Sequence, residues 1–191
     1  MSAHDPFRVL ALCTGNICRS PAMEALLATE LADDRRFRVE SAGTEAMTGW
    51  SADPPMARLL EARGLDVRGH RARQADPPML ERADLILTAT FAHREWVASA
   101  APRAARRAFT LAEFAQLCGA APGDTTPREL VAWAASHRPP RPLGRGRSTP
   151  RGGAEGDIVD PYGRSKAVFE QSLAQLTPLV ETVAEALLSR V

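Results

Sequence analysis

An apolar run, FRVLALC (7–13), stops at a glycine-containing turn, TGNIC (14–18), and helical spacing resumes almost at once in PAMEALLATELADD (21–34). No other feature constrains the fold as tightly. A short apolar run bounded by a turn reads as a buried strand, and Pro21 suits a first helical turn. A strand feeding straight into a helix is the opening unit of a parallel sheet. The rest of the chain repeats the alternation. RFRVESAGT (36–44), DLILTAT (84–90) and RRAFTL (106–111) read as three more strands. DPPMARLLEARG (53–64), PPMLERA (77–83), FAHREWVASAAP (91–102) and EFAQLC (113–118) read as helices. The tail (165–191) reads as a long amphipathic helix in which Pro178 is the place for a kink. The expectation is an α/β fold: a four-stranded parallel sheet with helices on both faces. In such sheets ligands sit beyond the carboxyl ends of strands, where TGNIC lies.

The 191 residues suit a single domain, 1–191, with one interruption at about 119–156. That stretch holds one helix-like segment, PRELVAWAAS, and then HRPPRPLGRGRSTPRGG, with five arginines, four prolines and no acid. Such a composition cannot bury a core, so a mobile insertion is expected. The 24 basic and 23 acidic residues give no polyanion-binding signal and hence no nucleic-acid partner. No stretch approaches the roughly 20 apolar residues of a membrane span, and the N-terminus lacks the pattern of a signal peptide. Three cysteines, an odd number, suggest reduced thiols in the cytoplasm.

Two of those cysteines fall in LCTGNICRSP (12–21), where Cys13 and Arg19 are separated by five residues. A strand end followed by a helix start leaves backbone N–H groups unpaired. With the positive helix terminus they form an anion site sized for phosphate. Gly15 lets the backbone approach the ligand. Asn16 tolerates a left-handed conformation, and Ser20 before Pro21 fits a helix cap. A cysteine at the start of such a cradle lies in a positive field that favours the thiolate nucleophile. Arg19 can grip two phosphoryl oxygens at once. A structural cysteine would not need Gly-Asn and Arg at fixed offsets. An ATP-binding loop would read GxxxxGK[ST], which is absent. A zinc site would need two further ligands near Cys13 and Cys18, and no metal is expected. The acid needed to protonate a leaving alcohol is found in DIVDPYGRS (157–165). There Asp160 precedes Pro161, and Tyr162 offers an aromatic wall.

LCTGNICRSP and DPYG together resemble the low molecular weight protein tyrosine phosphatase family, over about residues 8–118 and 157–188. The resemblance implies a phosphate-binding loop after the first strand and no cofactor. It implies that Cys13 is a nucleophile forming a cysteinyl-phosphate, Arg19 the transition-state clamp, and Asp160 the acid that later activates water. Thr14, Gly15, Asn16, Ile17, Cys18, Ser20 and Tyr162 would contact a phosphotyrosine-containing protein or peptide. Ser41 (in SAGT) and His70 (in HRARQ) would brace the loop with Asn16 and Ser20. By the same resemblance Cys18 is a redox guard, closing a reversible disulfide with Cys13. Met47 falls where many relatives carry an aromatic pocket wall, and Trp50 sits three residues later.

Three alternatives accompany this reading. An arsenate reductase of the same fold would use the same cradle with either a thiol relay, for which Cys118 is the one remaining cysteine, or a thiol cofactor and no relay. A non-catalytic binding module would not need Cys13, Arg19 and Asp160 together. A protein-arginine phosphatase belongs to a bacterial branch of the family that carries threonine where this chain has Ile17. The apolar Ile17 leaves a guanidinium poorly solvated and suits an aromatic ring.

Overall fold

The structure, a computed structural model, describes residues 5–138 and 149–190. Four strands form one parallel sheet: β1 (Phe7–Cys13), β2 (Phe37–Gly43), β3 (Leu85–Thr88) and β4 (Ala108–Thr110), in the order β2-β1-β3-β4. β1 pairs with β2 along its whole length and with β3 from Val9 to Leu12. The chain crosses from one side of β1 to the other between β2 and β3. The carboxyl end of β1 is therefore the switch point of the sheet, where a crevice is expected.

Side chains alternate across β1, so each face acquires its own core. Val9, Ala11 and Cys13 join the cluster packed by α1 (Arg19–Glu30), α5 (Leu111–Cys118) and α7 (Lys166–Leu188). Leu10 and Leu12 face the opposite cluster. That cluster is completed by α3 (Pro77–Arg82), α4 (Phe91–Ala100) and a 3-10 helix (Pro102–Arg107). α2 (Pro54–Glu61) buries Met56 and Leu60 on the first face.

The last strand and the long tail helix differ from the sequence expectation. The last strand is only Ala108–Thr110, because the arginines before it belong to the 3-10 helix begun by Pro102. α7 runs unbroken through Pro178. An interior proline costs about 3 kcal/mol. Burial of Leu173, Leu176, Val180, Val183 and Leu187, at about 1.5–3 kcal/mol each, outweighs it. The arginine-rich stretch is anchored at both described ends. α6 (Pro127–Ser136) forms with a capping box at Thr126 and buries Leu130, Val131 and Ala134. Just after it, Arg138 pairs with Glu113 at 3.1 Å and lies 4.3 Å from the Phe109 ring. Thr149–Gly153 folds against the crevice, as described below. Of the stretch expected to be mobile, residues 139–148 lie outside the described residues.

Candidate active site

The loop after β1 turns its carbonyls outward. The N–H groups of Thr44, Glu45, Met47 and Asp53 donate to the carbonyls of Cys13, Thr14, Gly15 and Ile17 at 2.8–3.0 Å. The Asn16 carbonyl accepts from His70 Nε2 at 2.7 Å, and the Cys18 carbonyl from Ala22 N–H at 3.2 Å. By contrast, no N–H of residues 14–18 donates to another described residue. Cys18 caps α1 without a side-chain bond, so the first helical amides are also uncapped. These free donors, at the positive end of α1, suit an anion. The packing that shapes the loop is tight: a Cβ on Gly43 would lie 2.3 Å from the Thr14 carbonyl oxygen.

Asn16 adopts a left-handed conformation with φ 55°, which costs a non-glycine residue about 1–2 kcal/mol. Its side chain offsets that with three bonds, two of them buried. Nδ2 donates to Ser20 Oγ (2.9 Å) and Ser41 Oγ (2.8 Å), and Oδ1 accepts from Arg73 N–H (2.9 Å). Ser41 in turn donates to the Glu24 carboxylate at 2.5 Å. Asn16, Ser20, Ser41 and His70 therefore meet in one network behind the loop, and none of their side chains lines the crevice. Ser20 is not the helix cap that the sequence suggested. α1 begins at Arg19, two residues before the expected Pro21, and the Ser20 hydroxyl lies 3.0 Å from Cys13 Sγ. From there it can donate to a thiolate.

A cavity of about 570 Å³ opens over the loop. Cys13, Thr14, Gly15, Ile17, Cys18 and Arg19 line its floor, with Glu45, Met47, Asp160 and Tyr162 around them. Ile17 is nearly buried and also packs into the core. Trp50 is 58% exposed and lies outside the lining, so Met47, not Trp50, stands across from the DPYG segment as a wall. Asp160 Oδ1 is 3.2 Å from Arg19 Nη2. Arg19 Nη1 donates to the carbonyls of Pro150 (2.9 Å) and Ile158 (3.3 Å). Its Nε is buried and has no partner among the described residues. Leaving a buried donor unsatisfied costs about 1–3 kcal/mol, which an oxyanion on the Nε–Nη2 edge would relieve. Asp157, the other carboxylate of the segment, is turned away. It accepts from the N–H groups of Phe91 (2.9 Å) and Ala154 (3.0 Å).

Burial, with lesser contributions from Asp53 and Cys13, pushes the Cys18 thiol far above the ordinary range. Cys118, buried at the end of α5 and away from the cavity, is pushed up to about 11 by burial. Cys13, Cys18 and Cys118 are all free thiols. Among the described residues no group of three or more His, Cys, Asp or Glu is placed to hold a metal ion. None of the described helices is long and apolar enough to cross a membrane.

Sequence reasoning missed His93. It is 1% exposed and bridges Thr14 Oγ1 (Nε2, 2.9 Å) and Thr90 Oγ1 (Nδ1, 2.8 Å). Burial, with the Arg19 charge adding to it, pushes His93 down from 6.5 to about 3. A neutral ring can accept from Thr14 and donate to Thr90, which holds the Thr14 oxygen where Arg19 Nη2 donates to it at 3.4 Å. Because the folded pKa is the lower one, the unfolded chain binds the extra proton as pH falls. The contribution is fully present above about pH 6.5 and is lost towards pH 3. The slope should be about 1.4 kcal/mol per pH unit within that window. Urea midpoints of wild type and His93→Gln between pH 4 and pH 7 (about 1–3 kcal/mol per molar urea for such a domain) should show the slope flattened in the variant. Parallel curves would mean that His93 is not buried neutral.

Comparison with known proteins gives a consistent set of relatives. The family model described as low molecular weight phosphotyrosine protein phosphatase matches residues 8–125. A protein of Ralstonia nicotianae named probable low molecular weight protein-tyrosine-phosphatase EpsP is 38% identical over 168 residues, 88% of this chain and 87% of its own length. A Geobacillus stearothermophilus protein-arginine-phosphatase is 27% identical over 95% of this chain and 97% of its own length. Among solved structures, a low molecular weight protein tyrosine phosphatase from T. tengcongensis has a TM-score of 0.70 at 28% identity, covering 94% of this chain and 98% of its own. The YwlE arginine phosphatase from Geobacillus stearothermophilus has a TM-score of 0.71 at 27% identity, covering 96% and 94%.

Proposed function

The chain belongs to the low molecular weight phosphotyrosine protein phosphatase family, and on that premise we propose that it hydrolyses phosphotyrosine in proteins or peptides with Cys13 as the nucleophile. The observation that carries this reading is the loop beginning at Cys13, with outward carbonyls and N–H groups that have no partner among the described residues. The phosphoryl oxygens take those N–H groups and the Nε–Nη2 edge of Arg19. The Cys13 thiolate attacks phosphorus in line; the S–P bond forms and the P–O bond to the tyrosyl oxygen breaks. Asp160 gives its proton to that oxygen. Asp160, now a carboxylate, takes a proton from water. The water oxygen bonds to phosphorus and the S–P bond breaks, so phosphate leaves and the thiolate returns. Ile17, Met47 and Tyr162 supply the apolar surface for the ring. We place the reaction in the cytoplasm, since the three free thiols fit a reducing compartment.

A second reading, phosphoarginine hydrolysis, is favoured by the Geobacillus relative named for that activity. Ile17 weighs against it: 3% exposed and on the cavity floor, it offers no hydrogen bond to a guanidinium, which would be desolvated uncompensated. Arsenate reduction by thiol relay is disfavoured by the position of Cys118, buried and outside the cavity. Rates on a phosphotyrosine peptide and the matched phosphoarginine peptide decide between the first two. Phosphotyrosine should be preferred, and Ile17→Thr should shift the ratio by about tenfold towards phosphoarginine. A wild type that prefers phosphoarginine sinks the substrate assignment but leaves the Cys13 chemistry standing.

A further inference from the structure

The turn 149–153 sits on the catalytic groups. The Pro150 carbonyl accepts from Arg19 Nη1 at 2.9 Å, and the Arg151 carbonyl accepts from Asp160 N–H at 3.1 Å. The turn is closed internally. Thr149 Oγ1 donates to the Gly152 carbonyl (2.6 Å) and accepts from Arg151 N–H (3.2 Å), while Gly152 N–H donates to the Thr149 carbonyl (2.9 Å). Gly152 and Gly153 take φ values of 94° and 133°, which side-chain-bearing residues rarely adopt. A backbone locked in this way presents the Arg151 side chain from a fixed point on the cavity rim.

Arg151 is exposed, and its guanidinium has no hydrogen bond or ion pair among the described residues. The chemistry has no need of it. The free N–H groups of residues 14–18 and the Nε–Nη2 edge of Arg19 already suffice for a phosphoryl dianion. A free cation at the mouth serves whatever the substrate places outside the pocket. The ring pocket is apolar on Ile17 and Met47, and the carboxylate within it, Asp160, pairs with Arg19 at 3.2 Å, so the charge of Arg151 is not answered from within. The other exposed rim charge, Glu45, sits on the segment after β2 and forms no ion pair with Arg151 among the described residues. Among the described residues the rim thus carries an unpaired cation on the turn that bonds to Arg19 and Asp160.

We propose that Arg151 is a specificity-determining residue that reads a carboxylate side chain flanking the phosphotyrosine, an inference that rests on the phosphotyrosine reading above. A guanidinium grips a carboxylate through two parallel N–H···O bonds. Mounted on a turn that is already closed by its own hydrogen bonds, it does so without also having to order the backbone beneath it. Acidic-flanked substrates should therefore be favoured through kcat/KM.

Three phosphotyrosine peptides that differ only in having Glu, Ala or Arg beside the phosphotyrosine test this. Wild type should prefer Glu over Ala by about tenfold in kcat/KM at low salt, less at high salt. Arg151→Ala should bring that ratio to about one, Arg151→Lys should keep part of it, and Arg151→Glu should reverse the order in favour of Arg. The ratio is the readout, since a change in folding or in chemistry moves all three peptides together. Equal rates on the three peptides by wild type, or an unchanged ratio in Arg151→Ala, overturns the inference and leaves the phosphatase reading intact. No hydrolysis of any of the peptides overturns both.

Discussion

Cys13→Ser is expected to abolish turnover while the protein still binds oxyanions. The loop donors are backbone N–H groups and the Arg19 fork, and neither is removed by exchanging sulfur for oxygen. What is lost is the nucleophile. A serine hydroxyl is far less acidic than a thiol, and Ser20 Oγ, 3.0 Å from the sulfur, is too weak a base to activate it. A fall in kcat of at least about 10⁴-fold is expected. Steady-state hydrolysis of p-nitrophenyl phosphate gives the loss, and calorimetric titration with inorganic phosphate gives the retained binding. Substantial residual turnover would sink the mechanism. Loss of phosphate binding along with activity would show that the cradle itself depends on the sulfur.

Asp160→Asn should have the second-largest effect, and its size should depend on the leaving group. Asparagine keeps the shape and the bond that the residue-160 N–H donates to the Arg151 carbonyl, but it has no acidic proton to give. General acid catalysis contributes about 10²–10⁴-fold. That loss should be seen in full on phenyl phosphate, which expels a basic oxygen, and should shrink on p-nitrophenyl phosphate, which does not need the proton. A series of aryl phosphates spanning leaving-group pKa would therefore give a steeper dependence in the variant. A uniform loss across the series would point away from Asp160. Asp157 would be a poor replacement, because its carboxylate is held by the N–H groups of Phe91 and Ala154.

The sequence made the site legible where short-range chemistry decides the outcome. A strand–turn–helix join placed Cys13 at the switch point of the sheet, and asparagine's tolerance of positive φ anticipated Asn16 at 55°. Asn16, Ser20, Ser41 and His70 could be grouped only through resemblance. Their meeting depends on contacts across 4 to 57 positions of chain, counting the Asn16 to Arg73 bond. His93 could not be found this way. A histidine on a helix with polar neighbours reads as surface, and only the docking of α4 beside the loop buries it. The Ser20 cap was misread because the rule for helix starts assumes that first-turn amides seek a side-chain partner. Here they are left free. The contacts at the two ends of the arginine-rich stretch were out of reach for a different reason. Composition describes what a segment cannot bury, and it does not record the contact of Arg138 with the Phe109 ring or the bond that the Pro150 carbonyl accepts from Arg19.

Gly43 carries a consequence for engineering. The ten residues from Leu12 to Pro21 look like a self-contained module that could be cut out and moved to another scaffold. The loop is held from outside, however, by the N–H groups of Thr44, Glu45, Met47 and Asp53 and by a glycine on the neighbouring strand whose absent Cβ leaves room for Thr14. A transplanted decapeptide would arrive without its mould. Its carbonyls would be free to turn inward and its amides to pair with one another, and the graft would be an ordinary turn with a cysteine in it. The smallest portable unit is the β1–α1 join together with the strand beside it and the stretch through Asp53.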